Sequence, residues 1–246
     1  MAKQNEISLP NPIYAITPEG WHRISIVREN LGPQEELIRK VASASPVHID
    51  RIGSSPNFVS PISMVVQNSE IVLYAYIPYI KIRTFFKVVK SESALVPTWI
   101  KKDDAIDMEL SWPPLQRMGL LFVAIVSPES SAGFRSQHCY LAATSMKSKG
   151  FFRIPIPNIH EDARVCMGNA VSSGPSIIDT FSNAAENFQK SQWNMDLMHI
   201  HGEQTVAKYF SFNIKTQRPK VDEKSDWEKD FPKVSNAIFN RIILPS

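Results

Sequence analysis

Apolar residues recur along the chain with spacings that predict both strands and helices. Alternation over 21–27 (WHRISIV) indicates a strand, and the apolar runs 71–77 (IVLYAYI) and 81–89 (KIRTFFKVV) are typical of strands as well. Because only residues 78–80, which include a proline, separate the last two runs, we expect them to form a hairpin.

The middle of the chain predicts a second hairpin. Residues 119–126 (GLLFVAIV) are almost continuously apolar, as in a buried central strand. Residues 138–144 (HCYLAAT) follow the turn-rich stretch SPESSAGFRSQ and form the expected partner strand. The residues between the two predicted hairpins, 90–116, are polar and punctuated by prolines, so we interpret them as a long connection and a candidate domain seam.

Three stretches have helical spacing. Residues 33–44 begin with a proline, followed by acids and then bases, which is the order that a helix dipole favours. A second helix is predicted within 172–193, with Pro175 near its start, and one or two short helices are expected over 224–244, broken at Pro232. The core-facing positions of the second helix are Ile177, Phe181, Ala184, Ala185 and Phe188. The order of elements predicts an α+β fold, with an antiparallel meander sheet flanked by helices.

Composition narrows the class of protein. Of 246 residues, 43% are apolar and 21% charged, and no apolar run approaches the length of a membrane span or a signal peptide core. We therefore expect a cytoplasmic protein that does not bind membranes. The net charge of +3 does not favour nucleic acid, and the bases Lys81, Arg83 and Lys87 fit the solvated face of a strand.

The chain has two cysteines, and the surroundings of the second suggest chemistry. Cys139 lies in a predicted strand and is expected in the core, whereas Cys166 lies in the irregular stretch IPIPNIHEDARVCMGNA (154–170). A thiol in a loop is more exposed than one in the core and can act as a nucleophile. If the loop folds back, Asn158 would lie near this thiol and could stabilise an oxyanion. The simpler alternative is a structural cysteine.

The stretch resembles the active-site signature of ubiquitin-conjugating enzymes, in which Pro-Asn-Ile precedes the cysteine by the same spacing. The chain has Ile156 where those enzymes have histidine and Gly168 where they have aspartate. It is more similar to the prokaryotic ubiquitin-conjugating-like family D, whose best-known members are called PRTRC system protein B. The shared patterns are YIPYIKIRTFF, Pro113-Pro114-Leu115, Asn158-Ile159 with Val165-Cys166-Met167-Gly168-Asn169, and Phe188, Ser191 and Trp193 followed by His199 or His201.

The resemblance implies a ubiquitin-conjugating-like fold over residues 61–210, an N-terminal extension of a strand and a helix (1–60) and a C-terminal helical segment (211–246). It also implies that a ubiquitin-like protein is carried as a thioester on Cys166 and passed to an amine. The implied partners are that ubiquitin-like protein, an adenylating activating enzyme and a metal-dependent deconjugating peptidase, in a plasmid-borne system or in antiviral defence. No cofactor is implied.

Three histidines are candidates for assisting the transfer. The resemblance implies a histidine after the cysteine, and a His-x-His pair on a strand would place His199 and His201 on one face, where a base could deprotonate the incoming amine. His160, beside Glu161 and Asp162, could modulate the thiol, and acids directed at the thiol would raise its pKa.

Other readings stay open. All three histidines could be ordinary surface or core residues. A metal site built from the histidines and cysteines matches no standard zinc spacing, and a papain-like hydrolase would place its cysteine at a helix start. The main alternative is a catalytically inactive ubiquitin-conjugating-like binding or scaffold module.

Overall fold

A computed structural model describes residues 13–17, 20–24, 46–67, 70–98, 104–129, 133–145, 147–167, 172–193, 197–221 and 226–242. The strands are β1 Ile13–Thr17, β2 Gly20–Ile24, β3 Val47–Gly53, β4 Ile62–Gln67, β5 Glu70–Tyr76, β6 Ile80–Val89, β7 Ala94–Thr98, β8 Ala105–Trp112, β9 Met118–Glu129, β10 Gly133–Ser145, β11 Phe151–Arg153, β12 Ser173–Gly174 and β13 Phe212–Asn213. The α-helices are α1 Ile177–Lys190, α2 Met198–His201, α3 Glu203–Phe210 and α4 Trp227–Asp230.

The larger sheet is antiparallel and runs in the order β3-β4-β5-β9-β10-β11, with β12 also paired to β10. Its centre is β9, whose residues from Leu120 to Val126 are all buried, as the continuous apolar run predicts. The hairpin predicted from 119–126 and 138–144 is confirmed, and its strands extend further than expected, to Glu129 and from Gly133.

The hairpin predicted from 71–77 and 81–89 is wrong. β5 pairs with β4 and β9, whereas β6 belongs to a separate sheet of order β13-β7-β6-β8. The physical reason lies in burial. The side chains of β5 are buried on both faces, as in the middle of a covered sheet. In β6, only alternate residues are buried, so this strand fits a sheet with one exposed face. Pro78 lies at the crossing from one sheet to the other.

The long connection predicted over 90–116 is also wrong, because most of it is sheet. β7 and β8 pair with the two sides of β6 and complete the smaller sheet. The first of these strands, β7, was not predicted because it contains Pro97, and proline is rare within strands. Pro97 is tolerated there because β13 pairs with residues 94–95 only, so the proline faces an unpaired edge. Lys81, Arg83 and Lys87 lie on the more exposed face of β6, as predicted.

The helix predicted within 172–193 is confirmed as α1. Its N-cap is Ser176, whose hydroxyl oxygen accepts a hydrogen bond from the Asp179 amide (3.1 Å). Pro175 therefore precedes the cap instead of occupying the first helical turn. Phe181 and Phe188 both contact Phe122 of β9, so the apolar face of α1 covers the centre of the larger sheet.

Helix α3 covers the smaller sheet, and the C-terminal residues join the same core. Phe210 packs on Trp112, and Trp227 packs edge-on to Phe152. The expected helical turns near the C-terminus occur at α4 and at a 3₁₀ turn over Phe239–Arg241, on either side of Pro232. The boundaries expected at residues 60 and 210 fall within one continuous hydrophobic core, since β3 pairs with β4 and β13 with β7.

In the N-terminal part, β2 confirms a strand within 21–27, whereas the helix predicted over 33–44 lies outside the described residues. The fold is thus mixed α+β, mostly antiparallel sheet with few helices. Of the helices that the structure describes, none has the length and apolar character needed to cross a bilayer.

Candidate functional site

The stretch before Cys166 leaves the sheet because of its prolines. β11 ends at Arg153, and Pro155 and Pro157 have no amide hydrogen to continue a ladder. The segment is nevertheless anchored, because the side chains of Ile154, Ile156 and Ile159 are fully buried. This loop is therefore packed along its length instead of lying free on the surface.

Residues 158–166 fold back on themselves as a small two-stranded ribbon, which we call the Cys166 ribbon. The Cys166 amide donates to the Asn158 carbonyl oxygen (2.6 Å), and the His160 amide donates to that of Arg164 (2.9 Å). Ala163 closes the turn with a φ of 66°. The fold-back that would bring Asn158 beside the cysteine is thus present.

The ribbon is held on the outer edge of β10. The Val165 amide donates to the Cys139 carbonyl oxygen (2.8 Å), and the Leu141 amide donates to that of Ala163 (3.0 Å). β11 pairs with β10 on one side of this point and β12 on the other. The ribbon therefore fills the gap between two short strands, which fixes the position of Cys166 relative to the larger sheet.

The register of the ribbon separates its side chains into two faces. Ile159 bridges Val165, and both are buried in the core. Because neighbouring residues of a strand alternate in direction, Asn158, Cys166 and the pair His160 and Arg164 share the opposite face. Cys166 is a free, partly exposed thiol, and Asn158 beside it is only 3% exposed.

The Asn158 amide group holds the ribbon to the segment that follows α1. Its Nδ2 donates to the Gln192 carbonyl oxygen (3.2 Å). The next residue, Trp193, donates its own amide to the Arg83 carbonyl oxygen of β6 (2.8 Å). This geometry supports a role for Asn158 in positioning the loop, beside the oxyanion role expected from the sequence. Gln192 and Arg83 take part through backbone carbonyls and Trp193 through its backbone amide, and no side-chain pattern marks such backbone contacts.

The His-x-His pair lies on a helix, so the strand geometry expected for it is wrong. Both histidines belong to α2, where positions two apart point about 200° from each other. His201 is buried at 8% exposure, and its Nε2 is 2.8 Å from the Ile159 carbonyl oxygen. Since a carbonyl only accepts, Nε2 is the donor. The side chain of His199 lies outside the described part of the structure.

His160 and its acidic neighbours lie toward the turn of the ribbon. The His160–Arg164 pair is about 7 Å along the ribbon from the Asn158–Cys166 pair, at two residues per strand. Asp162 accepts a hydrogen bond from the Arg164 amide (3.0 Å) and so supports the turn. Glu161 acts on Arg153, where burial lowers the pKa of the guanidinium and the carboxylate opposes that effect.

Cys139 is a core residue, as expected. It is 3% exposed, and burial raises its pKa to about 12, partly offset by a hydrogen bond with Ser136. Tyr140 bridges Arg164, so Cys139 lies opposite Val165 and shares its face of the sheet. Because neighbouring residues alternate in direction, the side chain of Cys139 points away from that of Cys166.

Alternative chemistries gain no support from the arrangement. Across the described residues, no three histidine, cysteine or acidic side chains are grouped to hold a metal ion. Cys166 precedes the first residue of α1, Ile177, by eleven positions, unlike a nucleophile at a helix start. The Gly168-Asn169 part of the Cys166 motif lies outside the described residues.

No protein-family model, curated protein or solved structure matches the chain.

Proposed function

We propose that the chain is a conjugating-type enzyme that carries a ubiquitin-like protein as a thioester on Cys166 and transfers it to an amine on a target. The observation that carries the proposal is the Cys166 ribbon. It presents a partly exposed thiol beside a buried asparagine, after an antiparallel sheet and before the helix that covers that sheet. A ubiquitin-conjugating-like fold for this region belongs to the same proposal.

The proposed chemistry takes place in two acyl transfers. In the first, the Cys166 thiolate attacks the acyl-adenylate of the ubiquitin-like protein, a C–S bond forms, and adenylate leaves. In the second, an amine attacks the thioester carbonyl carbon, a C–N bond forms and the C–S bond breaks. The thiolate leaves, and a base takes the proton that the amine releases.

Asn158 and His201 are positioning residues in this proposal. The Asn158 side chain holds the ribbon through the Gln192 carbonyl, and His201 holds it through the Ile159 carbonyl. Both contacts lie next to the backbone pair that joins Asn158 to Cys166. His199 and His160 stay candidates for the base that takes the proton of the amine.

The second candidate is a catalytically inactive binding or scaffold module with a related fold. The observation that favours it is the engagement of Asn158 and His201 with backbone carbonyls, since residues that hold a loop need no reaction to explain them. In that case, the ubiquitin-like protein or the activating enzyme binds without transfer, and Cys166 is a structural part of the ribbon.

A charging experiment separates the two candidates. The chain is incubated with ATP and with the adenylating enzyme and ubiquitin-like protein that the resemblance implies are encoded near its gene, and the products are separated on a non-reducing gel. We expect a higher band that thiol reductant removes, that persists in Cys139→Ala and that disappears in Cys166→Ala. With Cys166→Ser, the band should resist reductant, because an oxyester replaces the thioester. Co-elution of the proteins on a sizing column without any band supports the binding module.

A further inference from the structure

β8 is the outermost described strand of the smaller sheet, and no described strand pairs with its outer edge. Among the described strands it has a neighbour on one side only, β6. The pairing with β6 is regular over eight residues, from Trp112 opposite Ile80 to Ala105 opposite Lys87. An edge of this kind presents unpaired backbone donors and acceptors at every second residue, which can accept another strand.

The other described edges are less suited to accept a strand. β7 carries Pro97 at its edge, and β13 beside it has two residues. The outer edge of β10 is occupied by β11, the Cys166 ribbon and β12. The register of β3 with β4 shifts between Ile49 and Gly53. An eight-residue edge with unbroken register is therefore particular to β8 within the described chain.

The side chains of β8 indicate the chemistry of a strand that would fit. Asp107 and Glu109 are exposed on one face, while Ile106, at 47% exposure, and the partly exposed Met108 lie on the other. A neighbouring strand would bring its own alternate residues opposite these. Bases would pair with the two acids, and apolar residues would cover the exposed parts of Ile106 and Met108.

The existing partner of β8 already has this pattern. In β6, Lys81 and Arg83 alternate with buried Ile82, and the Lys81 ammonium lies 3.0 Å from a Glu109 carboxylate oxygen. Arg83 is directly opposite Glu109 in the register. The pairing with β6 thus shows that a strand in which basic and apolar residues alternate fits beside the acidic residues of β8.

A groove of about 870 Å³ continues from the C-terminal end of β8. Among its lining residues are Glu109 and Ser111 of the strand itself, together with Tyr79, Pro113, Pro114 and Pro219. The size suits several side chains of an extended segment that runs past the end of the strand. An added chain would therefore find backbone partners along β8 and, past its end, a groove of mixed polar and apolar lining that includes Arg218.

We propose that the outer edge of β8 binds an extended segment of a partner protein, in which basic and apolar residues alternate, by addition as a further strand. A second copy of the chain is a poor occupant, because two β8 strands would place acids opposite acids. This inference does not depend on thioester chemistry at Cys166.

The test uses the full chain and a fluorescein-labelled peptide in which lysine and valine alternate over nine residues, with binding followed by anisotropy at low salt. A peptide of the same composition with its lysines grouped is the sequence control. Asp107→Lys reverses an exposed charge on the edge, and Glu129→Lys reverses an exposed acid at the end of β9 as the matched control.

We expect the alternating peptide to bind more tightly than the grouped one, and Asp107→Lys to weaken that binding about five- to tenfold, through lost attraction and added repulsion. Glu129→Lys should leave it unchanged. Equal binding of both peptides, equal loss in both variants or the absence of binding would each overturn the proposal. A dimer of the unchanged chain whose stability Asp107→Lys changes and Glu129→Lys does not would instead identify a second copy as the occupant.

Discussion

The substitution Asn158→Ala tests whether the Cys166 ribbon is held in place by one buried amide. Asn158 is 3% exposed, and its Nδ2 donates to the Gln192 carbonyl oxygen at 3.2 Å. Alanine removes this donor and leaves the backbone pair between Asn158 and Cys166 intact. The change therefore acts on the anchorage of the ribbon and not on the thiol itself.

The expected magnitude follows from that contact. A hydrogen bond of this kind contributes about 1 kcal/mol net, and because Gln192 is exposed, water can replace the lost donor at its carbonyl oxygen. The free energy of unfolding should therefore fall by about 1 kcal/mol, above the ±0.5 kcal/mol that is usual at surface positions. Since Cys166 belongs to the ribbon that this contact anchors, we expect the formation of its thioester to slow as well.

Urea unfolding gives the stability change, and a charging time course gives the effect on Cys166. The matched control is Asn57→Ala, because the Asn57 Nδ2 also donates to a backbone carbonyl, that of Ser182 in α1 (3.2 Å). We expect the control to lower stability without slowing the charging. The reasoning is refuted if Asn158→Ala unfolds within about 0.5 kcal/mol of the unchanged chain, or if both variants slow the charging equally.

Three further predictions concern the thiols and the packing of the sheet. At pH 8, dithionitrobenzoate should react with Cys166 in the folded chain. Cys139, with a pKa of about 12, should react about a thousandfold more slowly than a free cysteine until urea unfolds the chain. Rapid reaction of both thiols in the folded chain would contradict this prediction. Because the unfolded chain loses the Cys139 proton near pH 9 and the folded chain keeps it, stability should fall as pH rises from about 9 toward 12, by up to about 1.4 kcal/mol per pH unit. Urea midpoints at pH 8, 9 and 10 should show that Cys139→Ala has the shallower decline, and parallel declines would exclude the assignment. Gly119→Ala should destabilise the chain by about 1–3 kcal/mol in thermal unfolding, since its Cβ would lie 2.5 Å from Thr144 Oγ1 and 2.6 Å from Tyr76, and an unchanged midpoint would show that the sheet adapts.

Elements with local signals were the predictable part of the fold. α1 has a capping serine and a clear helical period, and β9 has a continuous apolar run, so both could be identified from neighbouring residues alone. The partner of a strand is not a local property. β5 and β6 are adjacent in sequence, yet one is buried on both faces and the other on alternate residues, and only the assembled core shows that they belong to different sheets.

The site shows the same division. The proximity of Cys166 and Asn158 could be predicted from the motif, because the fold-back between them is local and spans nine residues, 158–166. The carbonyl that receives the Asn158 side chain belongs to Gln192, and no side-chain pattern marks a backbone acceptor. His199 and His201 fit a strand by alternation, but the backbone at 198–201 is helical, and positions two apart on a helix do not share a face.

Intact mass spectrometry of the charged protein tests the thioester on Cys166 most directly. After reaction with the activating enzyme, ATP and the ubiquitin-like protein, we expect a species whose mass is the sum of the two chains less one water. Peptide mapping should place the added mass on Cys166, and Cys139→Ala should charge normally. An adduct on a lysine or on Cys139, or an unchanged mass under conditions in which the activating enzyme forms the acyl-adenylate, would contradict the proposed function.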